Sequence, residues 1–182
     1  WLSVKVIRPQ DMPLQVASGH FDIAITGQDW LTEQLYAFPN SPVTQLVDLG
    51  FGKVRVVAAL SEDIPVDTTE ELRDYVASGR LRPLKVASEY TNIADKYLRD
   101  NHIGYYRVMP TYGASEAFLP DDADLLVDNT QTGKTLVENR LKIIEVILRS
   151  SACLVANVES LNDDSKREKI EKLSALLAGA VE

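Results

Sequence analysis

Ala123-Asp124-Leu125-Leu126-Val127-Asp128-Asn129-Thr130-Gln131-Thr132-Gly133-Lys134-Thr135-Leu136 is the stretch that decides how this chain is read. Leu125 to Val127 is an apolar run of the kind that forms a buried strand, and it ends on an acid, Asp128. A short polar turn rich in Thr and Gly follows and leads into a helix start. A helix start carries unpaired backbone N–H groups and the positive end of the helix dipole, which suits phosphate. Asp128, at the strand tip, is placed to take the two hydroxyls of a ribose. Strand, acid, Thr-Gly-x-Thr and helix together make chemistry for a phosphorylated sugar, while a plain polar turn with a Thr N-cap fits the same residues. Gly133-Lys134-Thr135 also matches the end of a Walker A loop. The glycine that motif needs five residues earlier is Asp128 here, and a carboxylate in a triphosphate cradle excludes an ordinary P-loop ATPase.

Working outward, strand and helix signals alternate. Extended segments are expected at Val4–Ile7, Asp22–Thr26, Val43–Leu49, Lys53–Leu60, Leu84–Ala87, Tyr105–Met109, Ala123–Asp128, Lys142–Arg149 and Ala152–Val158. Helices are expected over Met12–Ser18, Gln28–Tyr36, Thr68 to about Gly79, Thr91 or Asn92 to about Asn101, and Ala114–Leu119. A charged amphipathic helix over Asp163–Val181 carries Ile170, Leu173, Leu176 and Leu177 on one face. This order predicts an α/β fold with mostly parallel sheets. Arg80-Leu81-Arg82-Pro83 and Ser150-Ser151 read as crossings between two lobes, one built from residues 1–83 with 151–182 and the other from 84–150. Ligands of two-lobed α/β proteins are expected between the lobes.

The 182 residues fit one large domain or two small lobes, and 45% hydrophobic with 25% charged residues is ordinary for a globular protein. No apolar run is long enough to span a bilayer. Cys153, the single cysteine, reads as a buried core thiol, which fits a reducing cytoplasm. His20 and His102 are far apart and lack partners at ligand spacing, which argues against a structural zinc site. A net charge of −8 argues against a nucleic-acid surface. It also requires that an anionic ligand meet local positive charge or arrive with a metal ion. The chain starts at Trp1 and runs at once into Val4–Ile7, so an upstream segment is expected.

Several segments together resemble one family. Arg8-Pro9-Gln10-Asp11-Met12-Pro13 is similar to its R-x-x-D-[IM]-P, and Gly19 to Asp29 to its G-x-x-D-[LI]-[GA]-I-[TI]-G-x-[DE]. Asp48-Leu49-Gly50-Phe51-Gly52 with Val54-Arg55, Val86-Ala87-Ser88-Glu89-Tyr90, Gly113-Ala114-Ser115-Glu116, and Arg149 to Leu154 match further segments in order. Asp128 to Leu136 resembles its phosphoribosyl-pyrophosphate loop, D-x-x-x-[ST]-G-x-T-L. The family is ATP phosphoribosyltransferase, the first enzyme of histidine biosynthesis.

The resemblance implies a two-lobed, periplasmic-binding-protein-like fold in the cytoplasm. It implies a reaction in which N1 of ATP displaces pyrophosphate from C1 of phosphoribosyl pyrophosphate, with Mg²⁺ carried by the substrate. Such a chain works as a homo-oligomer, with a separate regulatory subunit if it is the short form. Asp128 goes to the ribose hydroxyls. Thr132, Gly133 and Thr135 go to the 5′-phosphate, and Asn129, Thr130 and Gln131 complete the loop. Lys134 is a second phosphate contact or a solvated lysine. Arg8 and Arg55 are candidates for the pyrophosphate or triphosphate, with a structural ion pair the other reading of Arg55. Glu116 faces the sugar or Mg²⁺, or caps a helix. Gly27 and Asp11 join the substrate-binding set, Asp11 and Asp29 also reading as helix first-turn acids. Tyr90 stacks on adenine or packs in the core.

The chain departs from the family pattern in places. The K-G-R-L-type segment and the C-terminal regulatory domain of the long form are not in this sequence. Asn129 and Gln131 stand where apolar or acidic residues are frequent, Lys134 adds charge, and Tyr112-Gly113 replaces a frequent Asn-Gly. A non-catalytic small-anion binder and an inactive regulatory paralogue are the competing functions.

Overall fold

Eight strands and seven α-helices make up residues 2–180, which the computed structural model describes. In chain order they begin α1 (Met12–Ala17), β1 (Ile23–Gly27), α2 (Gln28–Ala37), β2 (Val43–Asp48), β3 (Val54–Ser61) and α3 (Thr69–Ala77). They continue β4 (Leu84–Ser88), α4 (Thr91–Asp100), β5 (Tyr106–Pro110), β6 (Leu125–Thr130) and α5 (Lys134–Glu138). The last are β7 (Leu141–Ser150), β8 (Ala152–Asn157), α6 (Val158–Asn162) and α7 (Asp164–Gly179). Short 3-10 turns lie at Pro9–Asp11 and Ser115–Phe118, the second where a short helix was expected.

Two compact units result, one running to Lys53 and resuming at Ser150, the other from Val54 to Arg149. The first crossing therefore falls at 53/54 and not at 83, because β3 pairs along its length with β6, from Arg55 opposite Thr130 to Leu60 opposite Leu125. The second crossing lies within a residue of Ser150-Ser151.

The first unit holds a three-stranded sheet, order β1-β8-β2, in which both pairs are antiparallel. Its core is Val16, Leu31, Val43, Cys153 and Val155, so the lone thiol is a packing residue. Burial pushes the Cys153 thiol up to about 12, which keeps it protonated. Asn157 closes this unit: its amide donates to the Val16 carbonyl at 2.7 Å while its oxygen caps α6. Val4 to Ile7 forms no sheet ladder, and Val4 and Val6 are exposed. Alternation alone does not make a strand where no neighbour supplies hydrogen bonds.

The second unit holds a five-stranded sheet, order β5-β4-β6-β3-β7. β4 pairs parallel with β5 and with β6, whereas β3 and β6 are antiparallel. The first sheet is thus antiparallel and the second mixed, rather than both mostly parallel, because the periodicity that marks a strand is silent on its partner's direction. Val57, Ala59, Ala87, Leu126, Leu136 and Leu141 form one core cluster of this unit. β3 is buried from Val56 to Ser61, as a central strand with both faces covered must be. On α7, Ile170 is buried while Leu176 is exposed, since a period of 3.6 carries Leu176 off the stripe of Ile170, Leu173 and Leu177.

Candidate functional site

The candidate site is built where β6 leaves the core of the second unit. Leu125, Leu126 and Val127 are buried, and the strand then turns polar at Asp128. The Asp128 carboxylate accepts from the Asn129 backbone N–H at 2.7 Å and from the Ser115 hydroxyl. Burial, with Glu89 and Glu116 nearby, pushes this carboxyl up from 3.8 to about 6. Glu116 thus adds negative charge beside Asp128 from the Ser115–Phe118 turn.

The loop after Asp128 is held by its own threonines. The Gly133 N–H donates to Thr130 Oγ1 at 2.9 Å, and the Lys134 N–H to Thr132 Oγ1 at 3.3 Å. Gly133 sits at φ +81°, a left-handed conformation that glycine adopts without steric penalty, and α5 starts directly after it. The register of β3 on β6 sets Arg55 opposite Thr130, and the Arg55 guanidinium reaches 3.9 Å from where a Cβ on Gly133 would stand. Among the described residues Arg55 makes no ion pair with a carboxylate, so of its two readings the structural ion pair is not formed. Lys134, Gln131, Thr132 and Thr135 are exposed, and Lys134 lies 3.6 Å from Glu138 one turn on.

Tyr90 takes the second of its two readings and packs in the core. It is fully buried, so its ring offers no face to an adenine. Its hydroxyl instead accepts from Asn129 Nδ2 at 2.9 Å and pins the residue next to Asp128. Tyr90→Phe is expected to cost about 1 kcal/mol, the usual net worth of such a bond, read as a shift in the urea midpoint at constant slope.

Arg8, Asp11 and Gly27 belong to the first unit. Arg8 and Asp11 form an exposed pair at 3.2 Å, so Asp11 pairs with Arg8 and makes no side-chain cap on α1. Gly27 ends β1, and a Cβ there would collide with Asp29 Oδ1. Asp29 is buried, its N–H donating to Ser150 Oγ at 3.0 Å and its Oδ1 accepting from the same hydroxyl at 2.7 Å. Gly27 therefore makes room for a buried carboxylate, which a first-turn reading of Asp29 did not contain. Ser115, Thr111 and Glu89 were also missed. Only folding brings them to Asp128, and their spacing carries no signal.

The fold places the chain in the two-unit α/β class of the periplasmic binding proteins. The aliphatic sulphonate binding protein SsuA of Escherichia coli superposes with TM-score 0.57 at 13% identity, covering 95% of this chain and 59% of that one. Within this class the chain belongs to the ATP phosphoribosyltransferase family, whose profile matches residues 8–179. The ATP phosphoribosyltransferases of Prosthecochloris aestuarii and Chlorobium luteolum are 37% and 38% identical over 99% of the chain. A chain of the ATP phosphoribosyl transferase (HisG:HisZ) complex from Thermotoga maritima superposes with TM-score 0.77 at 25% identity, covering 96% of this chain and 77% of that one. The chain spans 58% of the length of those two curated relatives.

Proposed function

We propose that this chain carries the transfer of a phosphoribosyl group from phosphoribosyl pyrophosphate to N1 of ATP, the first step of histidine biosynthesis. The observation that carries the reading is the Asp128–Thr135 loop with the Arg55 guanidinium beside Gly133, an acid on β6 and a cation from β3 at one strand-to-helix turn. The ring nitrogen of adenine has its own lone pair and needs no strong base. It attacks C1 of the ribose, the C1–oxygen bond breaks, and the bonding pair leaves with pyrophosphate. Catalysis then rests on orientation and on charge. Asp128, in its ionised form, holds the ribose hydroxyls and faces the positive charge that develops on the sugar. Thr132, Gly133 and Thr135 hold the 5′-phosphate, with Asn129, Thr130 and Gln131 shaping the loop. Arg55 and Arg8 serve the pyrophosphate or triphosphate, and Lys134 adds a solvated positive charge at the loop.

Among the described residues no group of three or more His, Cys, Asp or Glu side chains could hold a metal ion. We assign Mg²⁺ to the phosphate oxygens of the substrate, an all-oxygen environment of the kind it favours, where it would supply positive charge against the leaving group. A second copy of the chain and a separate regulatory subunit are the proposed partners, the latter supported by the HisG:HisZ neighbour. No described helix is long and apolar enough to cross a membrane.

Mixing the chain with ATP, phosphoribosyl pyrophosphate and Mg²⁺ should change the ultraviolet absorbance of the adenine as its N1 is alkylated, with pyrophosphate released in equal amount. Pyrophosphate release without the absorbance change would assign the chain to hydrolysis instead. Thr135→Ala is expected to weaken phosphoribosyl-pyrophosphate binding about tenfold, for loss of one charge-assisted hydrogen bond. An unchanged dissociation constant by calorimetry would remove Thr135 from the site.

A further inference from the structure

We propose that Ser115 is a positioning residue that aims and holds the Asp128 carboxylate through a one-way hydroxyl chain running from Thr111. The proposal rests on the reading of Asp128 as the ribose-directed acid. Ser115 is fully buried, and Thr111 nearly so. The Thr111 and Ser115 hydroxyl oxygens stand 2.7 Å apart, and the Ser115 side chain is hydrogen-bonded to Asp128.

A hydroxyl has one proton to give, and an ionised carboxylate can only accept. The Ser115 proton is therefore committed to Asp128, which forces Thr111 to donate to Ser115. Each bond in such a chain polarises the next. The backbone is bent to deliver this hydroxyl: Gly113 at φ +96° and Ala114 at φ +49° precede Ser115. The left-handed region is unfavourable for alanine, whose Cβ crowds the following carbonyl. The turn thus holds an unfavourable conformation directly before the residue that reaches Asp128.

Charge around Asp128 makes this donor matter. Glu116 in the same turn and Glu89 after β4 both oppose ionisation, and burial opposes it further. On the adjacent strand β3 the residue opposite Asp128 is Val57, which carries no charge. Among the described residues, the Ser115 hydroxyl and the Asn129 N–H act in favour of the carboxylate. Without Ser115, a larger share of Asp128 is protonated near neutral pH and can no longer accept from both ribose hydroxyls.

The test is direct titration of the Asp128 side-chain carboxyl by carbon-13 NMR in the wild type, Ser115→Ala, Ser115→Cys and Thr111→Val, each with a thermal melt. Ser115→Ala should move the midpoint up by about one pH unit, the weight of one hydrogen bond to a charged group. Ser115→Cys keeps the shape with a weaker donor, and Thr111→Val removes the outer link, so both should move it the same way by less. If Ser115→Ala does not fold, Ser115→Cys carries the same test. From a midpoint of about 6, such a shift lowers kcat/KM about fivefold at pH 6 and leaves it unchanged at pH 9. A folded Ser115 variant whose Asp128 titrates with the wild type overturns the proposal, as does an activity loss equal at both pH values. Absence of any phosphoribosyl transfer by the wild type would instead refute the proposed function, and the titration would still decide whether Ser115 holds Asp128.

Discussion

Asp128→Asn is expected to lower kcat by about 100-fold or more while making the protein more stable at pH 8. The loss follows from removing a fixed negative charge beside a sugar carbon that turns positive in the transition state. Deleting one preorganised electrostatic group of this kind costs about 3–4 kcal/mol of transition-state stabilisation. The gain follows from proton linkage. In the folded chain the carboxyl is raised from 3.8 to about 6, chiefly by burial. Its contribution to stability is therefore fully present below the unfolded value and is lost as pH rises through about 6. Above that pH the wild type carries a half-buried charge that the amide does not. The upper bound is about 3 kcal/mol, and relaxation around the site makes ~1–3 kcal/mol the expected range. Thermal melts at pH 8 and pH 4 check it, with the variant ahead at pH 8 and level at pH 4. An equal difference at both pH values would mean that the gain has another source. The wild-type kcat/KM should also decline below a midpoint of about 6, with no such limb left in the residual activity of the variant.

Gly27→Ala carries the largest expected stability loss. Gly27 has an ordinary φ of −86°, so the conformation itself admits alanine. The obstacle is space, because the new methyl would overlap Asp29 Oδ1. That carboxylate cannot swing away cheaply, since it is buried and bonded to Ser150 Oγ at 2.7 Å. Moving it strips a hydrogen bond from a buried polar group, and holding it strains the end of β1. Either route costs about 2–4 kcal/mol. Urea denaturation reads the loss as a lower midpoint with unchanged slope. The same variant separates two roles for Gly27. A fall in stability with intact phosphoribosyl-pyrophosphate affinity makes it a packing glycine, whereas intact stability with lost affinity restores it to the ligand set.

The fold class was open to reading because several strands are short and closed by Gly, Pro or an acid, as Ile23–Gly27, Val43–Asp48 and Tyr106–Pro110 are. The turn after Asp128 was legible for the same local reason, since glycine at the left-handed position and threonines two and three residues apart organise it from within. Roles that depend on burial were not legible. Tyr90 and Asn129 are 39 residues apart, and nothing in either neighbourhood tells that one hydroxyl anchors the other amide. Asp29 and Ser150 are 121 residues apart, so the reason for Gly27 lies wholly in the folded first unit.

What the sequence determined by itself is therefore most of the elements, the family and the turn after Asp128, because these rest on hydrophobic period, turn chemistry and a run of ordered motifs. What only the tertiary structure decided is which strands pair, in which direction, where the chain crosses between units, and what surrounds Asp128. Pairing of β3 with β6 moved the first crossing from 83 to 53/54 and brought Arg55 to Gly133. The Ser115–Phe118 turn brought a hydroxyl and an opposing carboxylate to Asp128. The physical reason is range. Backbone propensity acts over a few residues and is written locally, whereas desolvation and charge act between side chains that the fold brings together.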